Sequence, residues 1–99
     1  MKYNKSDPLF TISIASKLTG LHPRTLMLYE KAGLVKPFRT KTDRRIYSQT
    51  NLNKIKFINY LTSEKKVNLA GIKLIFNIIN LTEEFDPKIV SNFFPNFKL

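Results

Sequence analysis

Hydrophobic positions in the first third of the chain recur at helical spacing in two short stretches, with Gly20 in the turn between them. The first stretch predicts a helix over 14–19 capped by Ser13, because apolar residues three or four positions apart share one face. The second predicts a helix from Pro23 to about Ala32, since proline is tolerated at the first helical position. The apolar stripes comprise Ile14, Ala15, Leu18, Leu26 and Tyr29. Two short helices joined through a glycine turn are typical of a DNA-binding helix-turn-helix.

A positively charged hairpin is predicted directly after the second helix. Two short extended runs, 34–39 and 44–47, flank the polar turn 40–43. So much charge cannot be buried, and beside a helix-turn-helix we expect this surface hairpin to act as a wing on DNA. The alternative is a solvated hairpin without a partner. The basic side chains of the hairpin, all candidate DNA contacts, are Lys36, Arg39, Lys41, Arg44 and Arg45.

Two further helices are predicted in the second half of the chain. Ser48 is placed to cap a helix over 49–64, whose apolar residues recur at helical spacing. Asn68 is placed to cap a fourth helix over 69–80.

The fourth predicted helix is apolar on more than one side, because Leu74 and Ile78 fall outside its main stripe. We expect it to contact the domain core and a further surface, which a second subunit would supply. The chain is thus predicted to be mainly helical, with about four helices and a two-stranded basic wing in a winged helix-turn-helix domain over 1–81. Residues 1–10 are expected to form a loose arm.

Residues 82–99 form a tail that contains half of the eight phenylalanines. Pro87 is placed to open a short helix and Pro95 to end it. Two interpretations stand. The tail folds back onto the domain, or it docks with a second subunit or another protein, since aromatic anchors dominate interface energetics. The candidate partner-binding residues are Phe85, Phe93, Phe94 and Phe97.

The net charge of +10 is concentrated in the first 60 residues, which carry the predicted helix-turn-helix and wing. Residues 1–60 contain 12 basic and 3 acidic residues, whereas residues 61–99 contain 5 and 4. Such a field attracts polyanions. A basic RNA-binding module is the alternative, but RNA readers place stacking aromatics among their cations. Here most phenylalanines lie in apolar stripes or in the tail.

The composition offers little catalytic or metal-binding chemistry. There is no cysteine and a single histidine, His22, whose place before Pro23 predicts local capping or solvent exposure. The seven acidic residues are scattered along the chain, so we predict that it is not an enzyme and holds neither a metal nor a cofactor. No apolar stretch has the length of a signal peptide or a membrane span, and we expect a cytoplasmic protein.

Four motifs follow one another along residues 10–80. They are Ile12-x-x-Ala15-x-x-Leu18-Thr19-Gly20, Thr25-Leu26-x-x-Tyr29-Glu30-x-x-Gly33-Leu34-Val35-x-Pro37, Arg45-x-Tyr47-Ser48 and Val67-Asn68-Leu69-Ala70-Gly71-Ile72-Lys73. Their order and spacing resemble the MerR family of bacterial winged-helix transcription regulators. The last motif is most similar to the heat-shock repressor (HspR-like) branch of that family. The length and tail are also similar to those of a short virulence regulator of the family.

The resemblance implies a homodimer on an inverted-repeat promoter site in the bacterial nucleoid, with one recognition helix and one wing per half-site. The second helix would then contact double-stranded DNA through Arg24, Thr25 and Tyr29, with the tyrosine reaching a phosphate. The wing would add Tyr47 to the cations named above. Asn68 would bring the start of the fourth helix to a phosphate.

Two departures from the family pattern change these expectations. Met27 and Leu28 stand where family members often carry arginine and tyrosine or glutamine, so base readout is altered and Leu28 could touch a thymine methyl. At about 1.5 Å per residue, the stretch after residue 81 is too short for the long dimerisation helix of the family. We therefore expect activation through contacts with RNA polymerase or a polymerase-associated factor. An HspR-like repressor is the alternative.

Overall fold

The computed structural model describes residues 3–99, and these form five helices and three short strands. In chain order the elements are β1 (Phe10–Thr11), α1 (Ile12–Thr19), α2 (Pro23–Lys31), β2 (Phe38–Arg39), β3 (Arg45–Tyr47), α3 (Gln49–Ser63), α4 (Leu69–Ile78) and α5 (Pro87–Phe93). This arrangement confirms the predicted mainly helical, winged helix-turn-helix fold. The fifth helix is the short tail helix that the sequence predicts at Pro87.

The first helix of the helix-turn-helix begins earlier than the sequence predicts. α1 begins at Ile12, and its cap is Thr11, whose hydroxyl accepts a hydrogen bond from the N–H of Ile14 at 3.3 Å. The prediction that Ser13 caps this helix is wrong, because β1 leads directly into α1 and leaves Ser13 within its first turn. Gly20 ends the helix in the predicted left-handed conformation, with φ of 73°.

The second helix begins as the sequence predicts and ends one residue earlier. His22 caps α2, and its Nδ1 accepts a hydrogen bond from the N–H of Arg24 at 3.0 Å, while Pro23 occupies the first turn. Gly33 follows the helix with φ of 78°, a conformation that favours glycine. Its N–H donates to the carbonyl of Glu30 at 2.9 Å, so the chain leaves α2 in a fixed direction toward the wing.

The wing belongs to a three-stranded antiparallel sheet rather than to an isolated hairpin. β3 lies in the centre, with β1 on one side and β2 on the other. Phe10 pairs with Tyr47 across the β1–β3 ladder. The loose arm expected over 1–10 therefore ends in a strand, and its first two residues lie outside the described residues. The sequence gives no sign of β1 because two residues are too few to show an alternating pattern.

The hydrophobic core is centred on α3, which packs against α1 and α4. Ser48 caps α3 in a reciprocal arrangement with Asn51, as its position predicts. Its hydroxyl accepts from the N–H of Asn51 at 3.1 Å, and the Asn51 side chain accepts from the N–H of Ser48 at 2.8 Å. The buried apolar side chains of the helix are Leu52, Ile55, Phe57, Ile58 and Leu61.

α4 carries apolar side chains on two sides, as the sequence predicts. Asn68 caps it by accepting a hydrogen bond from the N–H of Gly71 at 2.8 Å. Ile72 and Phe76 are buried in the core. Leu74 and Ile78 lie one turn apart on the outside and are 60% and 71% exposed, so this face has no cover within residues 3–99.

The tail folds back onto α3. The ring centroids of Phe94 and Phe97 each lie 5.2 Å from that of Phe57, and the centroid of Phe85 lies 6.0 Å from it. Three of the four tail phenylalanines therefore extend the core, whereas Phe93 is 63% exposed. The Lys54 ammonium holds the start of the tail, because it donates to the carbonyl of Thr82 at 2.8 Å.

Candidate nucleic-acid interface

Five exposed cations among residues 3–60 lie on α2 and around the wing strands, and two more, Lys5 and Lys17, lie ahead of β1 and on α1. Arg24 and Lys31 are exposed on α2, near its two ends. Lys36, Lys41 and Arg44 are exposed around the wing strands. None of these five forms an ion pair with a carboxylate of residues 3–99, so all five are available to an anionic partner. A helix flanked by a charged hairpin can place cations along both a groove and the adjoining phosphates.

The other two cations of the wing are held by a single carboxylate on α2. The Arg39 Nη2 donates to both carboxylate oxygens of Glu30 at 3.1 Å, and its Nε donates at 3.2 Å. The Arg45 Nε donates to Oε1 of the same group at 2.6 Å. Arg39 also donates to the carboxylate of Asp43 in the wing turn at 3.0 Å. Glu30 therefore joins α2 to both β2 and β3.

This network has an electrostatic consequence for the wing. The hydrogen bond to Glu30 raises the pKa of Arg45, and partial burial of the guanidinium opposes that shift. The Glu30 side chain is 20% exposed, so water screens the interaction less than it would on an open surface. The predicted wing cations thus divide into a paired set, Arg39 and Arg45, and an exposed set that faces solvent.

The predicted tyrosine contacts lie in the core. Tyr29 is 4% exposed and Tyr47 is fully buried. Burial raises the pKa of Tyr29, and it raises the pKa of Tyr47 to about 12. The Tyr47 hydroxyl is buried and has no hydrogen-bond partner within residues 3–99. In this conformation Tyr47 points from β3 into the core, and its hydroxyl is not exposed to a ligand.

The remaining predicted contacts, Thr25 and Asn68, occupy the starts of two helices. Thr25 is partly exposed in the first turn of α2. Asn68 is exposed, but its side-chain oxygen already caps α4. A Cβ on Gly71 would lie 2.8 Å from a methyl of Val67, so any larger residue here would have to displace that side chain. A DNA contact by Asn68 stays a prediction.

The sequence predicts no role for Glu30 or Lys31, although both lie on α2 beside the predicted contacts. Lys31 extends the exposed cationic face of α2 to its last turn. The role of Glu30 depends on residues 9 and 15 positions away, and helical or strand spacing gives no signal for such pairs. An isolated acidic residue within a basic stretch is the one feature that could have suggested it.

The described residues lack two further features, a cluster of metal ligands and a membrane-spanning helix. Within residues 3–99, no group of three or more histidine and carboxylate side chains is placed to hold a metal ion. No helix in the same range combines the length and the apolar character needed to cross a membrane.

Comparison with known proteins gives a consistent set of relatives. The family model described as MerR HTH family regulatory protein matches residues 10–77. The chain is 38% identical over 84 residues to a protein named heat shock protein HspR from Streptomyces coelicolor. It is 41% identical over 71 residues to the HTH-type transcriptional regulator GlnR of Bacillus anthracis. The alignments cover 85% and 72% of this chain but only 56% and 54% of these relatives, so the chain spans about half their length.

The Glu30 network yields a prediction about stability. Glu30→Gln removes the charge that holds two guanidiniums, and we expect the free energy of unfolding to fall by about 1–2 kcal/mol. Urea unfolding measures this change, and faster amide exchange in β2 and β3 locates it in the wing. Glu84→Gln is the matched control, because Glu84 is exposed and forms no ion pair within residues 3–99. Equal stability of the two variants would contradict the assigned role.

Proposed function

Because this chain belongs to the MerR family of helix-turn-helix transcription regulators, we propose that α2 enters the major groove of promoter DNA while the wing contacts the flanking backbone. The observation that carries this proposal is the position of the exposed cations on α2 and the wing, with Glu30 fixing one element relative to the other. Membership of the family also means that the chain is a regulator and not an enzyme, as the sequence predicts. Its place of action would be the bacterial nucleoid.

The proposed contacts divide by chemistry. Arg24 lies in the first turn of α2, where side chains reach base edges, and a guanidinium can donate twice to a guanine. The exposed wing cations, Lys41 and Arg44 above all, would bind phosphates without reading sequence. Arg39 and Arg45 would support the wing through Glu30 and face the backbone from there.

This division predicts two different binding defects. Arg24→Ala is expected to relax sequence preference and to cost about 1–3 kcal/mol on the preferred site. Arg44→Ala is expected to weaken binding to all duplexes and to reduce the slope of log affinity against log salt by about 1. Fluorescence anisotropy with the selected site and with an unrelated duplex, at several salt concentrations, measures both.

Lys88→Ala is the charge-matched control, because Lys88 is exposed on α5 in the weakly charged part of the chain. A loss of sequence preference in Arg44→Ala rather than in Arg24→Ala would contradict the division. Competition with single-stranded RNA tests the alternative function. If RNA displaced the duplex as well as unlabelled DNA does, a basic RNA-binding module would fit better.

A homodimer is the second part of the proposal, and the outer face of α4 supports it. Leu74 and Ile78 expose two aliphatic side chains side by side, which suits a twofold contact between copies of this chain. Leu74→Ser with Ile78→Ser is expected to shift sedimentation toward the monomer. Leu18→Ser, which changes another exposed leucine on α1, should leave the assembly state unchanged. Identical sedimentation of the two variants would remove α4 from the interface.

The direction of regulation is proposed from the tail. Phe93 is the one tail phenylalanine that projects into solvent, so it is the aromatic side chain free to contact RNA polymerase or a polymerase-associated protein. We expect an activator on this basis. The similarity to HspR leaves repression as the alternative direction.

Neighbouring phenylalanines provide the test. Phe93→Ala is expected to keep stability and promoter affinity but to lose activation in transcription with purified polymerase and cell extract. Phe94→Ala removes a ring packed on Phe57 and should instead lower the free energy of unfolding by about 2–3 kcal/mol. Full activation by Phe93→Ala would contradict the tail contact. Repression by the unaltered chain on its own promoter would favour the HspR-like alternative.

A further inference from the structure

The exposed face of α2 combines two cations with two large apolar side chains. Met27 is 38% exposed and Leu28 is 49% exposed, and they lie in the same two turns as Arg24 and Lys31. Single exposed apolar residues are common on proteins and need no explanation. Here the two are adjacent and occupy the face that the proposed function turns toward DNA.

Helix geometry fixes the order of these four side chains. At about 100° per residue, they occupy an arc of about 100° opposite the buried side chains of Leu26 and Tyr29. Arg24 and Lys31 form the middle row and are separated by about 10 Å along the axis, the rise of about three base pairs. The two apolar side chains lie on either side of that row. Met27 is on the side of Glu30 and hence of the wing, and Leu28 is on the opposite side.

From this arrangement we infer that Met27 and Leu28 contact the C5-methyl groups of thymines in the major groove. The inference rests on the proposed function and adds the bases that α2 selects. Thymine is the base that presents a methyl group in that groove, and apolar side chains are its recognised partners. Each buried methyl also removes apolar surface of the protein from water.

Met27 and Leu28 would also weaken binding to sites that have G·C pairs at these positions. Neither methionine nor leucine can donate a strong hydrogen bond to guanine or accept one from the cytosine amino group. A G·C pair would offer them no methyl group, and its polar base edges would lie against them without hydrogen-bond partners, which is unfavourable. The sites preferred by this chain therefore carry A·T pairs on both sides of the base that Arg24 reads.

The unpaired positive charges of Arg24 and Lys31 favour DNA rather than a protein as the partner of this face of α2. A protein partner covering Met27 and Leu28 would also cover the row of Arg24 and Lys31 between them, which has no paired carboxylate within residues 3–99. Burial of unpaired cations is costly. A duplex supplies phosphates and base acceptors for the cations and methyl groups for the apolar pair, so it satisfies all four side chains.

The test removes single methyl groups from DNA. The full chain first selects duplexes from a random library, and the enriched site is then made again with each thymine replaced in turn by deoxyuridine. We expect at least two replacements per half-site to weaken binding about fourfold each, the equivalent of about 0.8 kcal/mol per methyl. Affinities are measured by anisotropy at one salt concentration.

Two alanine variants assign each methyl to a side chain. Leu28→Ala and Met27→Ala should each bind the thymine and deoxyuridine forms equally at one position and still discriminate at the other. Alanine favours the helix, so both variants should fold. Leu18→Ala, which shortens an exposed aliphatic side chain on α1, should retain every difference between thymine and deoxyuridine.

The outcomes separate this inference from the proposed function. If duplexes are enriched but every deoxyuridine is tolerated, or if both alanine variants still discriminate at both positions, the methyl contact is refuted and DNA binding stands. Enrichment of sites with G·C pairs at these positions refutes it as well. If no duplex is enriched, the proposed function itself fails.

Discussion

One carboxylate determines how the two parts of the interface are arranged. Glu30 projects from the last turn of α2 and binds a guanidinium from each of two neighbouring strands, with donor–acceptor distances of 2.6–3.2 Å. Tyr29 on α2 and Tyr47 on β3 are both buried in the hydrophobic core, so the helix and the sheet share that core. The ion pairs of Glu30 join α2 directly to the two strands of the wing.

The positive potential of the chain has two sources, the N-terminal ends of its helices and its cationic side chains without ion pairs. Helices α1 to α4 begin without an acidic residue in the first turn. The positive end of each helix dipole, equivalent to about half a charge, is therefore not offset locally. These ends add to the field of the exposed cations. The pairing of Arg39 and Arg45 with Glu30 leaves Lys36, Lys41 and Arg44 as the wing cations without an ion pair within residues 3–99.

Much of the fold could be predicted from the sequence because its helices carry strong local signals. The caps at Ser48 and Asn68 and the stop at Gly33 all lie where side-chain chemistry and backbone geometry require them. Contacts between distant residues could not be predicted, because periodicity says nothing about which side chains meet. The β1 strand and the Glu30 network arise in that way. The cationic part of the site was identifiable from residue type, whereas the burial of Tyr47 became evident only from the packed sheet.

The aromatic packing of the tail sets the limits of the unit that can be moved between proteins. Leu81 is fully buried, and three phenylalanines beyond it pack around Phe57. A chimaera joined at residue 81 would leave Phe57 facing solvent and would tend to aggregate. A fusion of this domain to another protein should therefore place the junction after Phe97, so that the fusion retains the whole aromatic cluster.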